Sequence, residues 1–210
     1  MARRNEHSRE QIKDMVLSAA EKIVEEEGYG GLSARKIANA IGYTVGTLYH
    51  FFKNLDEIVL YVNSRTLAKL YAEMASSVTR CRSPRTCLIA LGYAYMDFAL
   101  MHRHRWNMIY AHNIGDDSVL PAWYKSDVDR MFCLVEQHLM PLSDNLSDQQ
   151  IDQAAHTLWC GVHGICVLSL TRKLELEPVE MRGLAESLIN NYLIGLTSDN
   201  NSIKESSAVC

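Results

Sequence analysis

The sequence predicts an all-α fold, and three observations carry that prediction. Apolar residues recur at three- and four-residue spacing through nearly every segment, with no strand-like alternation. Proline occurs only at 84, 121, 141 and 178, each at a break or in the first turn of an expected helix. Ser8-Arg-Glu-Gln11 and Ser147-Asp-Gln-Gln150 both carry the S-x-x-Q pattern in which side chains and backbone N–H groups cap one another at a helix start. With 210 residues, 48% of them hydrophobic and 22% charged, the chain can bury one large core or two small ones.

The elements follow in order. After Ser8, residues Ile12, Met15, Val16, Ala19 and Ile23 repeat at helical spacing until Gly28, and Gly28-Tyr-Gly-Gly31 is a turn. Ser33 caps a short helix, ARKIANAI, that stops at Gly42, and Thr44 caps another that starts at Val45. Two short helices joined by a few residues containing Gly make a helix-turn-helix. In the second of them Val45, Leu48, Phe51 and Phe52 share an apolar face, while Gly46, His50 and Lys53 share the opposite one, flanked by Thr47 and Tyr49. Longer helices are expected from Asn54 to about Arg80, from Ser83-Pro84 to about His102, and over 103–112, 122–140, 148–170 and 179–196. NIGDDSVLP, residues 113–121, reads as a loop, and the polar stretch 198–210 as a disordered tail.

Composition narrows the function. A formal net charge of −4 rules out attraction to nucleic acid by the chain as a whole and leaves only a local patch. Residues 28–53 hold Arg35, Lys36 and Lys53 and no acid, and the N-terminal arm sets Arg3, Arg4 and Arg9 against Glu6. That arm has no apolar core and is not a secretory signal. LWCGVHGICVLSL, residues 158–170, is the longest apolar run; it falls short of the roughly 18 residues of a membrane span and calls for burial on all sides. Six cysteines without a C-x-x-C predict reduced thiols in a cytoplasmic protein. His102, His104 and His112 lack metal-ligand spacing, because helix residues two apart diverge and no Cys or carboxylate joins them. No nucleophile–base pair, phosphate-binding glycine loop or metal motif appears, so neither catalysis nor a cofactor is expected.

Residues 8 to about 68 resemble the DNA-binding domain of the tetracycline-repressor family. The Ile37-Ala38 pair, Gly42, Gly46-Thr-Leu-Tyr49, Phe52 and Asp56-Glu57-Ile58 stand in that family's order and spacing. Trp159-Cys-Gly-Val-His163-Gly164 resembles the W-x-x-x-H-G pattern of one of its C-terminal subfamilies. The resemblance implies a three-helix DNA-binding domain over 8–68 and a helical bundle over 69–197 for ligand binding and dimerisation. One position departs from the pattern: Leu55 stands where the family commonly places a phosphate-binding Lys, and Lys53 is the candidate to replace its charge.

Specific residues can then be given expected roles. Thr44, Tyr49, His50 and Lys53 suit phosphate oxygens, Gly46 allows close backbone approach, and Val45, Thr47 and Arg35 can address base edges. Ser33, at the start of the preceding helix, and Arg3 and Arg4, in a minor groove, complete the DNA set. A solvated helix face and a solubilising tail are the plain alternatives. Phe98, Met101, Trp106, Tyr110, Trp123 and Tyr124 are the candidate ligand pocket, with ordinary core packing as the alternative. Trp159, Gly161, His163, Gly164 and Val167, with Leu184, Leu188 and Tyr192, are the candidate dimer interface, the two glycines admitting a partner helix. The expectation is a cytoplasmic, homodimeric repressor of a palindromic operator, released by a small apolar or aromatic effector and without a membrane partner. Two other possibilities stay open: a helical small-molecule-binding protein or enzyme whose helix-turn-helix is only architectural, and a regulator that senses oxidation through cysteine.

Overall fold

The structure is a computed structural model that describes residues 7–113, 119–142 and 146–207. Within them it has nine α-helices, two 3₁₀ turns and no strand. Helix α1 (Arg9–Glu27) opens on the expected capping box: Gln11 N–H donates to Ser8 Oγ, and Ser8 N–H donates back to Gln11 Oε1. It ends at Gly28, whose φ of +73° other residues adopt only with strain. Helices α2 (Ala34–Ile41) and α3 (Val45–Tyr49) are capped by Ser33 and Thr44, and left-handed Gly42 turns the chain between them. Helix α3 is shorter than expected, yet Phe52 beyond it is still buried.

The remaining helices are α4 (Leu55–Ser77), α5 (Pro84–Met101), α6 (Arg103–Ala111), α7 (Ala122–Leu139), α8 (Asp148–Leu170) and α9 (Pro178–Ser207). The capping box at Ser147 is formed as predicted. The tail expected to be disordered from 198 instead continues α9 to Ser207, in a stretch with no Gly or Pro to stop a helix, while 208–210 lie outside the described residues. Of the expected loop at 113–121, residues 114–118 also lie outside them.

The chain divides into two compact units. One takes the N-terminal part up to Ala68 together with His102–Lys125, and the other takes Lys69–Met101 and everything from Ser126. In the first, Val16, Ala20 and Val24 of α1 pack with Ile37 and Ala38 of α2, Leu48 of α3, Ile58 and Val62 of α4, and Met108 of α6. Each Val, Ile, Leu and Met among them, fully removed from water, contributes about 1.5–3 kcal/mol, so this apolar knot is what holds the two short helices against α1. In the second unit α9 packs on both α5 and α8, and glycines bring the helices close. A Cβ at Gly92 would stand 3.2 Å from Ile189 Cδ1, and one at Gly161 would overlap the methyls of Leu188.

The expectation of six reduced thiols is corrected at Cys81 and Cys87, which form a disulfide across the turn between α4 and α5 with Cα atoms 5.3 Å apart. Residues six apart meet there because the turn folds back, which spacing alone does not reveal. Among the others, Cys133 and Cys160 are exposed, and burial pushes the Cys166 thiol up to about 12.

One buried cation organises the first unit. Arg105 of α6 donates from Nε to Thr66 Oγ1 at 3.2 Å and pairs with Glu21 at 3.2 Å and Glu25 at 3.3 Å. Thr66 in turn donates to the carbonyl of Val62. Arg65 joins the network through Asp14 and Glu21, so α1, α4 and α6 are tied together by one set of charges. Removing the guanidinium strands two carboxylates that are partly solvated, so Arg105→Ala should cost about 2–3 kcal/mol, below the range for a fully buried pair. Arg105→Lys should recover less than half of that, since an ammonium cannot span three acceptors. Urea unfolding of both variants checks this.

Candidate nucleic-acid interface and ligand cavity

The exposed side of α2 and α3 gathers most of the residues expected to face DNA. Thr44, Gly46, Tyr49, His50 and Lys53 are exposed, as is Arg35 on α2, while Ser33, Val45 and Thr47 are half-buried. Leu48 is wholly buried beneath them and fixes the helix's orientation. Thr44 Oγ1 accepts from Thr47 N–H, and the two hydroxyls lie 3.0 Å apart. The Thr47 hydroxyl is therefore engaged locally, and its methyl is the part left to meet another surface. A Cβ at Gly46 would find only Thr44 Oγ1, at 3.8 Å. Nothing in the chain's own packing requires glycine there.

The local charge is smaller than the sequence suggests. Lys36 is ion-paired with Glu27, one residue outside the acid-free window, whereas Arg35 and Lys53 have no ion pair among the described residues. Leu55, in place of the expected Lys, is half-buried against the helix-turn-helix core. The start of α4 is capped by Asn54 Oδ1, which accepts from Glu57 N–H at 2.9 Å. Arg3 and Arg4 lie outside the described residues. Just after them His7 Nδ1 and Tyr43 OH are 3.0 Å apart, which anchors the arm's base beside the turn between α2 and α3. Sequence reasoning missed this contact because 36 residues separate the partners.

The residues expected to line a ligand pocket are distributed between the units. Phe98 is buried and Met101 is 75% exposed, both in the second unit. Trp106, Tyr110, Trp123 and Tyr124 belong to the first, where Trp106 packs on Tyr110 and Trp123 stacks on Tyr61 at 4.7 Å. His104 and His112 serve the same unit, His104 facing the Glu25 carbonyl and His112 facing Asp56.

An apolar cavity lies in the second unit, and none of those six residues lines it. Met74 of α4 and Leu88, Leu91, Gly92 and Tyr95 of α5 form one side. Val135 of α7, Leu158, Trp159 and Val162 of α8, and Ile189 of α9 form the other. Apart from Trp159, which the W-x-x-x-H-G pattern marks, these residues carry no signal in the sequence beyond that of core positions. Tyr95 OH lies 2.8 Å from His163 Nδ1, and Trp159 stacks on the His163 ring at 5.0 Å. Phe132 meets Trp159 edge-on and stacks on His156 at 3.9 Å.

On the α8 and α9 surface, Leu168, Leu184 and Ile194 are exposed, and Val167, Leu188 and Tyr192 are half-buried. The close approach expected of a partner helix at Gly161 is already taken by the chain's own Leu188, whereas a Cβ at Gly164 would meet open space. Among the described residues no helix is long and apolar enough to cross a membrane, and no cluster of His, Cys, Asp and Glu could hold a metal ion.

Comparison with known proteins matches these two regions separately. Residues 16–62 fit the family described as bacterial regulatory proteins of the tetR family, and residues 88–192 fit the tetracyclin repressor-like C-terminal domain. The Bacillus subtilis protein YobS, named an uncharacterized HTH-type transcriptional regulator, is 27% identical over 191 residues, 90% of this chain and 94% of YobS. A protein of unknown function from Rhodococcus sp. RHA1 superposes with a TM-score of 0.73 at 20% identity, over 93% of this chain and 99% of its own. A TetR-like transcriptional regulator from the same organism gives 0.63 at 21% identity, over 90% and 99%.

Burial holds the His163 imidazole below its ordinary pKa. The unfolded chain then takes up the proton more readily than the folded one. The associated stability is complete above the unfolded value near 6.5 and is lost as pH falls through the lower folded value. His163→Gln, which can still accept from Tyr95, should lose less thermal stability than the wild type between about pH 7.5 and about pH 5, as melting curves would show.

Proposed function

The chain belongs to the tetracycline-repressor family and is a DNA-binding transcriptional regulator, and from that premise we propose how its two units divide the work. The first unit lays α3 in a major groove. Thr44, Tyr49, His50 and Lys53 hold phosphates, while Arg35, Val45 and the Thr47 methyl meet base edges. Ser33 sits at the phosphate side of the same face, and Arg3 and Arg4 reach an adjacent minor groove from the base fixed by His7. The observation that carries this is Gly46: a residue that weakens its helix by about 0.5–1 kcal/mol and that no packing requires has its use outside the chain. In cytoplasm, two copies joined through α8 and α9 set their α3 helices about 34–36 Å apart on a palindromic operator. Leu168, Leu184 and Ile194, with Gly164 between the helices, are the apolar surface a partner would cover. A small-molecule effector bound in the second unit favours a different spacing and releases the operator, which makes the protein a repressor. Helix α4 runs unbroken across the boundary at Ala68 and gives the two events a shared element.

Gly46→Ala separates this role from a structural one. The variant should keep or gain stability in thermal unfolding and lose about tenfold or more in affinity for a duplex selected from a random library, roughly the penalty of a misfitted methyl at a packed contact. Unchanged affinity would remove α3 from close contact with DNA. For assembly, Leu184→Glu with Ile194→Glu should convert a two-fold dimer into monomers at micromolar concentration by light scattering, with helicity retained. A wild type that is monomeric under those conditions would overturn the α8–α9 interface.

A further inference from the structure

The cavity in the second unit has walls of hydrocarbon and thioether with no Asp, Glu, Lys or Arg among them. Tyr95 and Trp159 are the lining residues whose side chains carry a polar hydrogen, and the Tyr95 hydroxyl is already paired with His163. Most of the lining is buried; Val135 and Trp159, only half-buried, mark where the cavity reaches the surface. Trp159 is held there by His163 on one side and Phe132 at its edge, so the mouth is a fixed aromatic one.

We propose that this cavity takes an uncharged, predominantly apolar small molecule with at most one polar atom, and rejects carboxylates and ammonium ions. The proposal rests on the assignment of the second unit to effector binding and specifies its ligand chemistry. An ion entering these walls loses its hydration shell and meets no opposite charge, which is the costly case for burial. The nearest ring that could be charged is His163, and burial disfavours its cationic form, so it gives a carboxylate no counter-ion near neutral pH. Apolar groups lose nothing of this kind. They displace poorly held water and gain close contact with Leu88, Leu91, Leu158, Val162 and Ile189.

A matched set of indoles tests the proposal on the full-length protein by titration calorimetry and thermal shift. Indole and 3-ethylindole should bind and raise the melting temperature, while indole-3-acetate and tryptamine, which carry a charge on a side chain of similar length, should bind roughly a hundredfold more weakly or not at all. Val135→Trp, which adds bulk at a half-exposed site on the mouth, should abolish indole binding without changing the melting temperature of the free protein. Equal or tighter binding of either charged probe overturns the proposal. So does failure of both neutral probes to bind, or undiminished indole binding by Val135→Trp. Release of a selected duplex is measured separately: neutral probes that bind as expected but leave DNA affinity unchanged would sink the effector switch and leave the cavity's selectivity standing.

Discussion

The first unit depends on a single buried guanidinium. Arg105 comes from α6, which lies after α5 in the chain, yet its three donors are satisfied by Glu21 and Glu25 of α1 and Thr66 of α4. A cation this deeply buried is tolerable only because each side of its fork has an acceptor. Once paired, it makes α6 part of the first unit, together with Met108 in the apolar knot and with His104 and His112 set against Glu25 and Asp56. Helices α2 and α3 are short and could not hold their orientation alone. They hold it because α1 is fixed from behind by apolar packing and by these charges.

The second unit is ordered by an opposite principle. Its helices meet through small residues and hydrocarbon: Gly92 lets Ile189 approach α5, and Gly161 lets Leu188 approach α8. Helix α9 is thereby drawn tightly onto two neighbours, and the cavity lies where residues of α4, α5, α7, α8 and α9 face one another. A hollow with apolar walls lacks the polar partners that hold water firmly, so a ligand of the right shape finds little to displace. The Tyr95–His163 pair lies at its edge and is satisfied internally, which keeps the one polar stretch of wall from demanding a polar guest.

Local signals were legible in the sequence and long-range ones were not. Ser8, Ser33, Thr44 and Ser147 cap helices as read, and Gly28 and Gly42 stop them, because each of these depends on neighbours within four residues. The exposure of Gly46, His50 and Lys53 and the burial of Leu48 and Phe52 followed from helical period in the same way. The pairing of Lys36 with Glu27 fell outside a window drawn at Gly28, and so the local charge was overcounted. The Cys81–Cys87 disulfide needed the turn geometry, and Tyr43 with His7 needed a contact across 36 residues. The cavity was the least legible feature. Large aromatic residues suggested a pocket among Phe98, Met101, Trp106, Tyr110, Trp123 and Tyr124, but the observed walls are mostly Leu, Val, Ile and Met, whose pattern is that of any core. A void is a property of how helices diverge, and no single residue type encodes it.

On the proposed reading, the modest charge of the surface formed by α2 and α3 bears on why two copies act together. With Lys36 neutralised, Arg35 of α2 and Lys53, four residues past the end of α3, are the cations of this face left to displace counterions, the other expected phosphate ligands there being hydroxyls and an imidazole. These two cations contribute about −1.8 in logarithmic slope per copy and about −3.6 for a pair of copies, to which the proposed minor-groove contacts of Arg3 and Arg4 add. In the proposed dimer, placing two heads at once raises the affinity above that of either alone. Affinity built that way depends steeply on whether the spacing of the heads matches the groove repeat, since one misplaced head forfeits the advantage of linkage. An effector need not weaken any protein–DNA contact directly. It has only to favour a spacing at which both heads cannot bind together, and a differential affinity of about 1–3 kcal/mol between spacings is enough for a regulatory response.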